Sequence, residues 1–60
     1  MEYNIGDKLQ FTIYGSIVEG IFMNGKDDFI VIKITRDDDY PRNVGIEQSI
    51  SKSCTHIKIW

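Results

Sequence analysis

Alternating isoleucines in the middle of the chain constrain its fold more than any other feature of the sequence. In residues 29–36, Ile30, Ile32 and Ile34 fall on one face of an extended chain. A period of two is that of a β-strand, whereas a helix repeats every 3.6 residues. No window of about 11 residues elsewhere in the chain places apolar residues at helical spacing. The sequence therefore predicts an all-β protein.

The same period predicts four further short strands. In residues 8–14, Leu9, Phe11 and Ile13 share the buried face. Residues 17–24 carry apolar side chains on both faces, which indicates a strongly curved strand with a bulge or bend at Gly20. Val44, Ile46 and Ile50 restore the alternation weakly. Residues 56–60 close the chain, with Ile57 and Ile59 predicted inward and His56, Lys58 and Trp60 predicted outward.

Glycine and polar residues mark the turns between these strands. Gly15 and Ser16 predict the first turn, and Asn24-Gly25 followed by Lys26, Asp27 and Asp28 predicts a hairpin. The polar stretch from Ser51 to Thr55 predicts a 3₁₀ turn before the last strand. Five short strands in 60 residues predict one domain, residues 1–60, folded as a five-stranded small barrel or as two orthogonally packed sheets.

The segment RDDDYPRN, residues 36–43, is the most unusual local composition. An EF-hand loop starting at Asp37 would place Pro41 and Arg42 at its fifth and sixth positions, where a ligand and a glycine are needed. Three adjacent carboxylates in an extended chain also point apart. We therefore predict no metal site but a solvated hairpin loop, partly neutralised by Arg36 and Arg42.

Charge and size exclude several classes of function. The net charge of −2 and the pI of about 5.1 provide no basic field to attract a phosphate backbone. The acidic clusters are interrupted by basic residues, which argues against mimicry of DNA. No apolar run approaches the roughly 20 residues of a membrane helix, and no secretion signal opens the chain. We expect a cytoplasmic protein with no membrane association.

Catalytic and cofactor motifs are also missing from the sequence. Cys54 is the sole cysteine and His56 the sole histidine, so neither a disulfide nor a Cys-His site with further partners can form within the chain. The five glycines never fall in a phosphate-loop or dinucleotide spacing. We therefore expect no enzymatic activity and no cofactor.

The opening of the chain carries a family likeness. The segment I-G-D-K-L-Q-F-x-x-x-G-S-I-V-E-G-I-F, residues 5–22, resembles the start of SH3-like barrels of the KOW and Tudor type. The closing Ile-x-Ile of residues 57–59 is similar to their last strand. In size and style the chain also resembles the small SH3-like proteins encoded by Bacillus phages and prophages. The resemblance implies a five-stranded SH3-like barrel and a viral origin, but no reaction.

Aromatic residues outside the predicted core are the best candidates for a binding site. Tyrosine and tryptophan are frequent binding anchors, and SH3-like barrels often bind through aromatics beside acidic loops. The candidate partner-binding residues are Tyr14, Asp37, Asp38, Asp39, Tyr40 and Trp60. They predict a non-catalytic module for a basic or proline-containing segment of a protein partner, a host protein if the chain is phage-encoded.

Two alternatives remain open at the level of sequence. A KOW-like nucleic-acid-associated barrel would need Lys33, Lys52 and Lys58 on one face, and the net charge does not favour it. A structural or oligomeric phage component would show an exposed apolar patch and would dimerise. We expect a monomer or a weak dimer.

Overall fold

Five antiparallel strands build the protein, and its computed structural model describes residues 3–59. The strands are β1 (Lys8–Ile13), β2 (Ser16–Gly25), β3 (Phe29–Asp37), β4 (Glu47–Ser51) and β5 (Thr55–Lys58). The described residues contain no α-helix, and a single 3₁₀ turn, Pro41–Asn43, precedes β4. The predicted all-β class and its five strands are confirmed.

The strands form one sheet in the order β4-β3-β2-β1-β5. Within residues 3–59, β4 pairs only with β3 and β5 only with β1, so strand pairing does not close the sheet into the predicted barrel. The described residues nevertheless extend 28 × 20 × 19 Å. Sheets pack face to face at about 10 Å, so this thickness requires a sheet that curls over its own side chains.

The core lies on the inner face of this curled sheet. Leu9, Phe11, Ile30 and Ile32 are fully buried, as the alternation in β1 and β3 predicts. The remaining core residues come from β2, from the end of β3 and from β4: Val18, Phe22, Ile34 and Ile50. Burying a side chain of this size contributes about 1.5–3 kcal/mol, so this one cluster provides most of the stabilisation of so small a domain.

Gly20 occupies the bend predicted in β2. The register between β2 and β3 shifts between Glu19 and Gly20 and again between Phe22 and Asn24. A Cβ atom at position 20 would lie 2.7 Å from Ile32 Cδ1 and 2.8 Å from the carbonyl oxygen of Lys33. Only glycine lets β2 approach β3 this closely, which confirms the predicted irregularity and gives its physical reason.

The register shift between Glu19 and Gly20 changes which side chains at the end of β3 face the core. Glu19 pairs with Arg36 and Gly20 with Ile34, so Thr35 is an extra residue on β3. Because side chains alternate along a strand, one extra residue reverses which positions face inward. Asp37 therefore turns toward the core side, and only 8% of it is exposed.

The predicted facing of the last strand is wrong. His56 pairs with Phe11, and its ring stacks on that of Phe11 with centroids 5.2 Å apart. Ile57 pairs with Gln10 and is 56% exposed. Both faces of β5 carry residues that could pack, so the alternation does not reveal which face is inner. The register of β5 with β1 decides which face is inner. The other residue predicted to face outward, Trp60, lies outside the described residues.

The turns also differ in part from the predictions. The first turn is Tyr14-Gly15 rather than Gly15-Ser16, because Ile13 pairs with Ser16 across a two-residue loop. Residues 52–53 form an ordinary turn, and the 3₁₀ turn lies instead at Pro41–Asn43. Proline suits the first position of such a turn, since its φ is already fixed and it lacks an N–H.

Replacing Gly20 with alanine is expected to destabilise the domain by about 1–3 kcal/mol, because the new methyl group has no room beside Ile32 and the Lys33 carbonyl. Urea denaturation followed by circular dichroism measures this loss. Thr12→Ala, at an exposed position of β1, serves as the control and is expected to change stability by less than about 0.5 kcal/mol. Equal midpoints for the two variants would contradict the close approach.

Candidate functional site

An acidic groove lies where the β1–β2 turn meets the segment after β3. Its volume is about 370 Å³. Four of the predicted partner-binding residues line it together with an edge-strand glutamine: Tyr14, Asp37, Asp39, Tyr40 and Gln48. Two carboxylates lie in this wall, and none of the described lysines or arginines does. We refer to this feature as the acidic groove.

Asp37 holds the wall of the groove in place. Its Oδ1 accepts a hydrogen bond from the backbone N–H of Tyr40 at 3.0 Å, and its Oδ2 accepts one from Asn43 Nδ2 at 3.2 Å. An aspartate that binds backbone a few residues later stabilises a turn. The expectation of a wholly solvated loop is therefore wrong for Asp37, which is buried and structural.

Asp38 faces away from the groove. Its two carboxylate oxygens accept hydrogen bonds from Arg36 Nε at 2.8 Å and from Nη2 at 3.1 Å. Hydrogen bonding to Asp38 and the negative charge of Asp38 raise the pKa of Arg36. Arg36 also contacts Glu19 at 3.2 Å, so the pair belongs to an exposed ionic network rather than to the groove. The predicted neutralisation is confirmed for Arg36 with Asp38, whereas Arg42 forms no ion pair within residues 3–59.

Asp39 and Tyr40 are the accessible members of the wall. Asp39 is exposed, and its carboxylate has no hydrogen-bond or ion-pair partner among residues 3–59. Tyr40 is 56% exposed even though Asp37 fixes its backbone. A rigid backbone beneath an open ring lowers the entropy lost on binding. These two side chains are free to contact a ligand.

Tyr14 stands at the tip of the β1–β2 hairpin on the other side of the groove. It is fully exposed, and its φ of +50° lies in the left-handed region. Gly15 follows with a φ of +79°, so both turn residues have the positive φ that a type I′ turn requires. Asparagine or glycine normally occupies the first of these positions. A tyrosine is therefore held there at a backbone cost, with its ring exposed to solvent.

Sequence reasoning missed three polar residues of the groove: Ser16, Asn43 and Gln48. The Oγ atom of Ser16 is buried and has no hydrogen-bond partner in the described part of the chain. The spacing from Asp37 to Asn43 could have indicated their contact, since both flank one proline-containing turn. Gln48 gave no signal, because its place beside the groove depends on the pairing of β4 with β3.

A larger, more open cleft of about 600 Å³ lies at the opposite end of β2. Ile5, Met23, Lys26, Asp27 and Lys52 are among the residues that line it. Two lysines and an aspartate line it together, so the charge of this cleft is mixed. None of the predicted site residues within 3–59 lines it.

The three lysines on which the nucleic-acid alternative depends do not share a face. Lys33 lies opposite Ile21 on the outer side of the sheet. Lys58 pairs with the buried Leu9, and its Nζ lies 3.6 Å from Asp7 Oδ2. Lys52 lies in the turn between β4 and β5. The described residues therefore present no basic surface built from these three side chains.

Residues 3–59 contain neither a metal-binding cluster nor a membrane-spanning helix. No three histidine, cysteine, aspartate or glutamate side chains in that range converge as ligands of a metal ion. Nor does that range contain a helix long and apolar enough to cross a membrane.

Replacing Asp37 with alanine is expected to destabilise the protein by about 1–3 kcal/mol, because the Tyr40 N–H and the Asn43 amide lose their acceptor. Thermal unfolding measures the loss. The matched control is Asp39→Ala, which removes an exposed carboxylate from the same loop and should change stability by less than about 0.5 kcal/mol. Equal unfolding temperatures would mean that Asp37 does not hold the turn.

Replacing Tyr14 with asparagine is expected to stabilise the fold by about 1 kcal/mol, because asparagine tolerates a positive φ. Tyr14→Phe keeps the strain and is expected to leave stability unchanged. Denaturant titrations of both variants measure the difference. A less stable asparagine variant would show that the ring of Tyr14 stabilises the native hairpin.

No protein family model, no curated protein and no solved structure matches this chain. The candidate site therefore depends on the geometry of the chain itself.

Proposed function

We propose that the protein is a non-catalytic protein-binding module whose acidic groove takes a basic segment of a protein partner. The observation that supports this most directly is the meeting of Tyr14, Asp37, Asp39 and Tyr40 around one groove that no described cation neutralises. Tyr14 is distant along the chain from the other three, which all lie within residues 37–40, and the curled sheet brings the two segments together.

The electrostatics of the groove favour a cationic occupant. Asp38 is already paired with Arg36, whereas Asp39 forms no ion pair with a cation among residues 3–59. A lysine or arginine entering the groove would find a carboxylate without having to displace an existing partner. Complementary charge of this kind contributes to specificity and to the rate of association.

The tyrosines give the groove its apolar contacts. Tyr14 and Tyr40 project from two different turns on either side of it, and Ile13 and Val18 contribute apolar surface between them. Tyrosine provides a large contact area with few rotatable bonds, so it loses little entropy on binding. The aliphatic stem of a lysine or arginine, or a proline ring, fits such a surface.

The biological setting that we propose is that of a phage-encoded accessory protein acting on a host protein in the host cytoplasm. Its support is the resemblance of residues 5–22 to small SH3-like barrels, together with the single cysteine, which suits a reducing compartment. The sheet order with its long, bent β2 is compatible with that fold.

A random peptide library displayed on phage and selected on the immobilised protein tests the function. We expect enrichment of peptides that contain lysine or arginine, and loss of that enrichment with Tyr40→Ala. The matched control is Val44→Ala, which removes a similarly exposed side chain outside the groove and should retain the enrichment.

Three results would contradict the proposal. One is a failure of the wild type to enrich basic peptides over the Tyr40→Ala variant. Another is enrichment of acidic peptides. The third is binding of a single-stranded oligonucleotide, measured by fluorescence anisotropy, that weakens steeply with salt and is unchanged in Tyr40→Ala, since this would favour the nucleic-acid alternative.

A further inference from the structure

The free edge of β4 adjoins the acidic groove. β4 pairs with β3 through Glu47–Ser51, and no other described strand lies on its far side. Four of its five residues are exposed, and only Ile50 is buried. An open strand edge presents unpaired backbone N–H and C=O groups, which a further extended chain can pair with.

This edge has few of the features that usually prevent pairing. The β3–β4 register runs without a shift, whereas β2–β3 contains two. β4 carries no lysine and no proline, and Glu47 is its only charged residue. The opposite edge of the sheet is β5, which has four residues and is the shorter of the two edge strands. It also carries Lys58, and a lysine is typical of an edge strand that is protected against pairing.

The alternation of side chains connects this edge to the groove. Gln48 pairs with the buried Ile32, so it lies on the inner side of the sheet, and it also lines the acidic groove. Residues opposite each other on neighbouring strands share a face, and the strands lie about 4.8 Å apart. A residue placed opposite Gln48 by an added strand would therefore project toward the groove.

We infer that the partner segment binds as an extended strand on the free edge of β4, with a lysine or arginine opposite Gln48 whose side chain enters the acidic groove. This inference rests on the proposed function, because it describes how the same groove takes its occupant. Backbone hydrogen bonds provide affinity in such a complex, and the carboxylate of Asp39 selects the basic side chain.

Charge decides between a partner protein and a second copy of this chain. If β4 of a second copy paired with this edge, it would bring no lysine or arginine to the groove. β5 of a second copy would bring Lys58, but that side chain already contacts Asp7 within its own chain. Neither strand supplies a free cation, so the groove fits a basic segment of a different protein.

The peptide acetyl-Thr-Val-Lys-Val-Thr-amide tests the inference. Its residues favour an extended chain, and its lysine lies at the centre. Titration into ¹⁵N-labelled protein, followed by amide NMR spectra, is expected to shift the signals of Glu47–Ser51 together with those of Tyr14 and Tyr40. The matched peptide with glutamate in place of lysine is expected to produce no such shifts.

Methylation of single peptide nitrogens tests the backbone pairing. Alternate N–H groups of an added strand point toward β4 and away from it. Methylation at positions of one parity is therefore expected to weaken binding about tenfold or more, while methylation at the other parity leaves it nearly unchanged.

The outcomes separate the two proposals. Strand addition would be overturned, and the proposed function left standing, by lysine-dependent shifts confined to the groove together with equal binding of the peptides methylated at either parity. Absence of any lysine-dependent shift at millimolar peptide would overturn both. Shifts at β4 and at the groove with the expected parity would support both.

Discussion

The close approach of β2 to β3 at Gly20 is the constraint on which the rest of the structure depends. A side chain at this position would collide with Ile32 and with the Lys33 carbonyl. Because Gly20 has no side chain, the two strands can meet at this position. The register can then shift beside Gly20, and the sheet can curl over a single core. Sixty residues form too small a sheet to bury a core without that curvature.

The register shift also creates the candidate site. The extra residue Thr35 turns Asp37 inward, and the carboxylate of Asp37 then fixes the backbone of Tyr40 and the side chain of Asn43. The aspartates therefore divide by role. Asp37 builds the turn, Asp38 pairs with Arg36, and Asp39 faces the groove as an unpaired charge. One local irregularity thus links the core to the groove.

Much of the fold could be predicted from the period of the sequence. The alternation predicted β1 and β3 with their buried residues, and the glycine inside an otherwise apolar strand predicted the bend of β2. The facing of β5 could not be predicted, because both of its faces carry residues able to pack. The stacking of His56 on Phe11 depends on which residue of β5 lies opposite Phe11, and that register is a tertiary property.

The candidate site divides in the same way. Aromatic residues outside the predicted core and the aspartates beside Tyr40 gave the candidates Tyr14, Asp37, Asp38, Asp39, Tyr40 and Trp60, since turn chemistry and excess aromatic content are local properties. Four of these six line the groove. The sequence alone determined the strand period, the approximate positions of the turns and the acidic character of the loop after β3. Only the tertiary structure separated the three aspartates and placed Gln48 beside the groove. The physical reason is that register and bulges decide which side chains share a face, and both arise from pairing between residues distant in the chain.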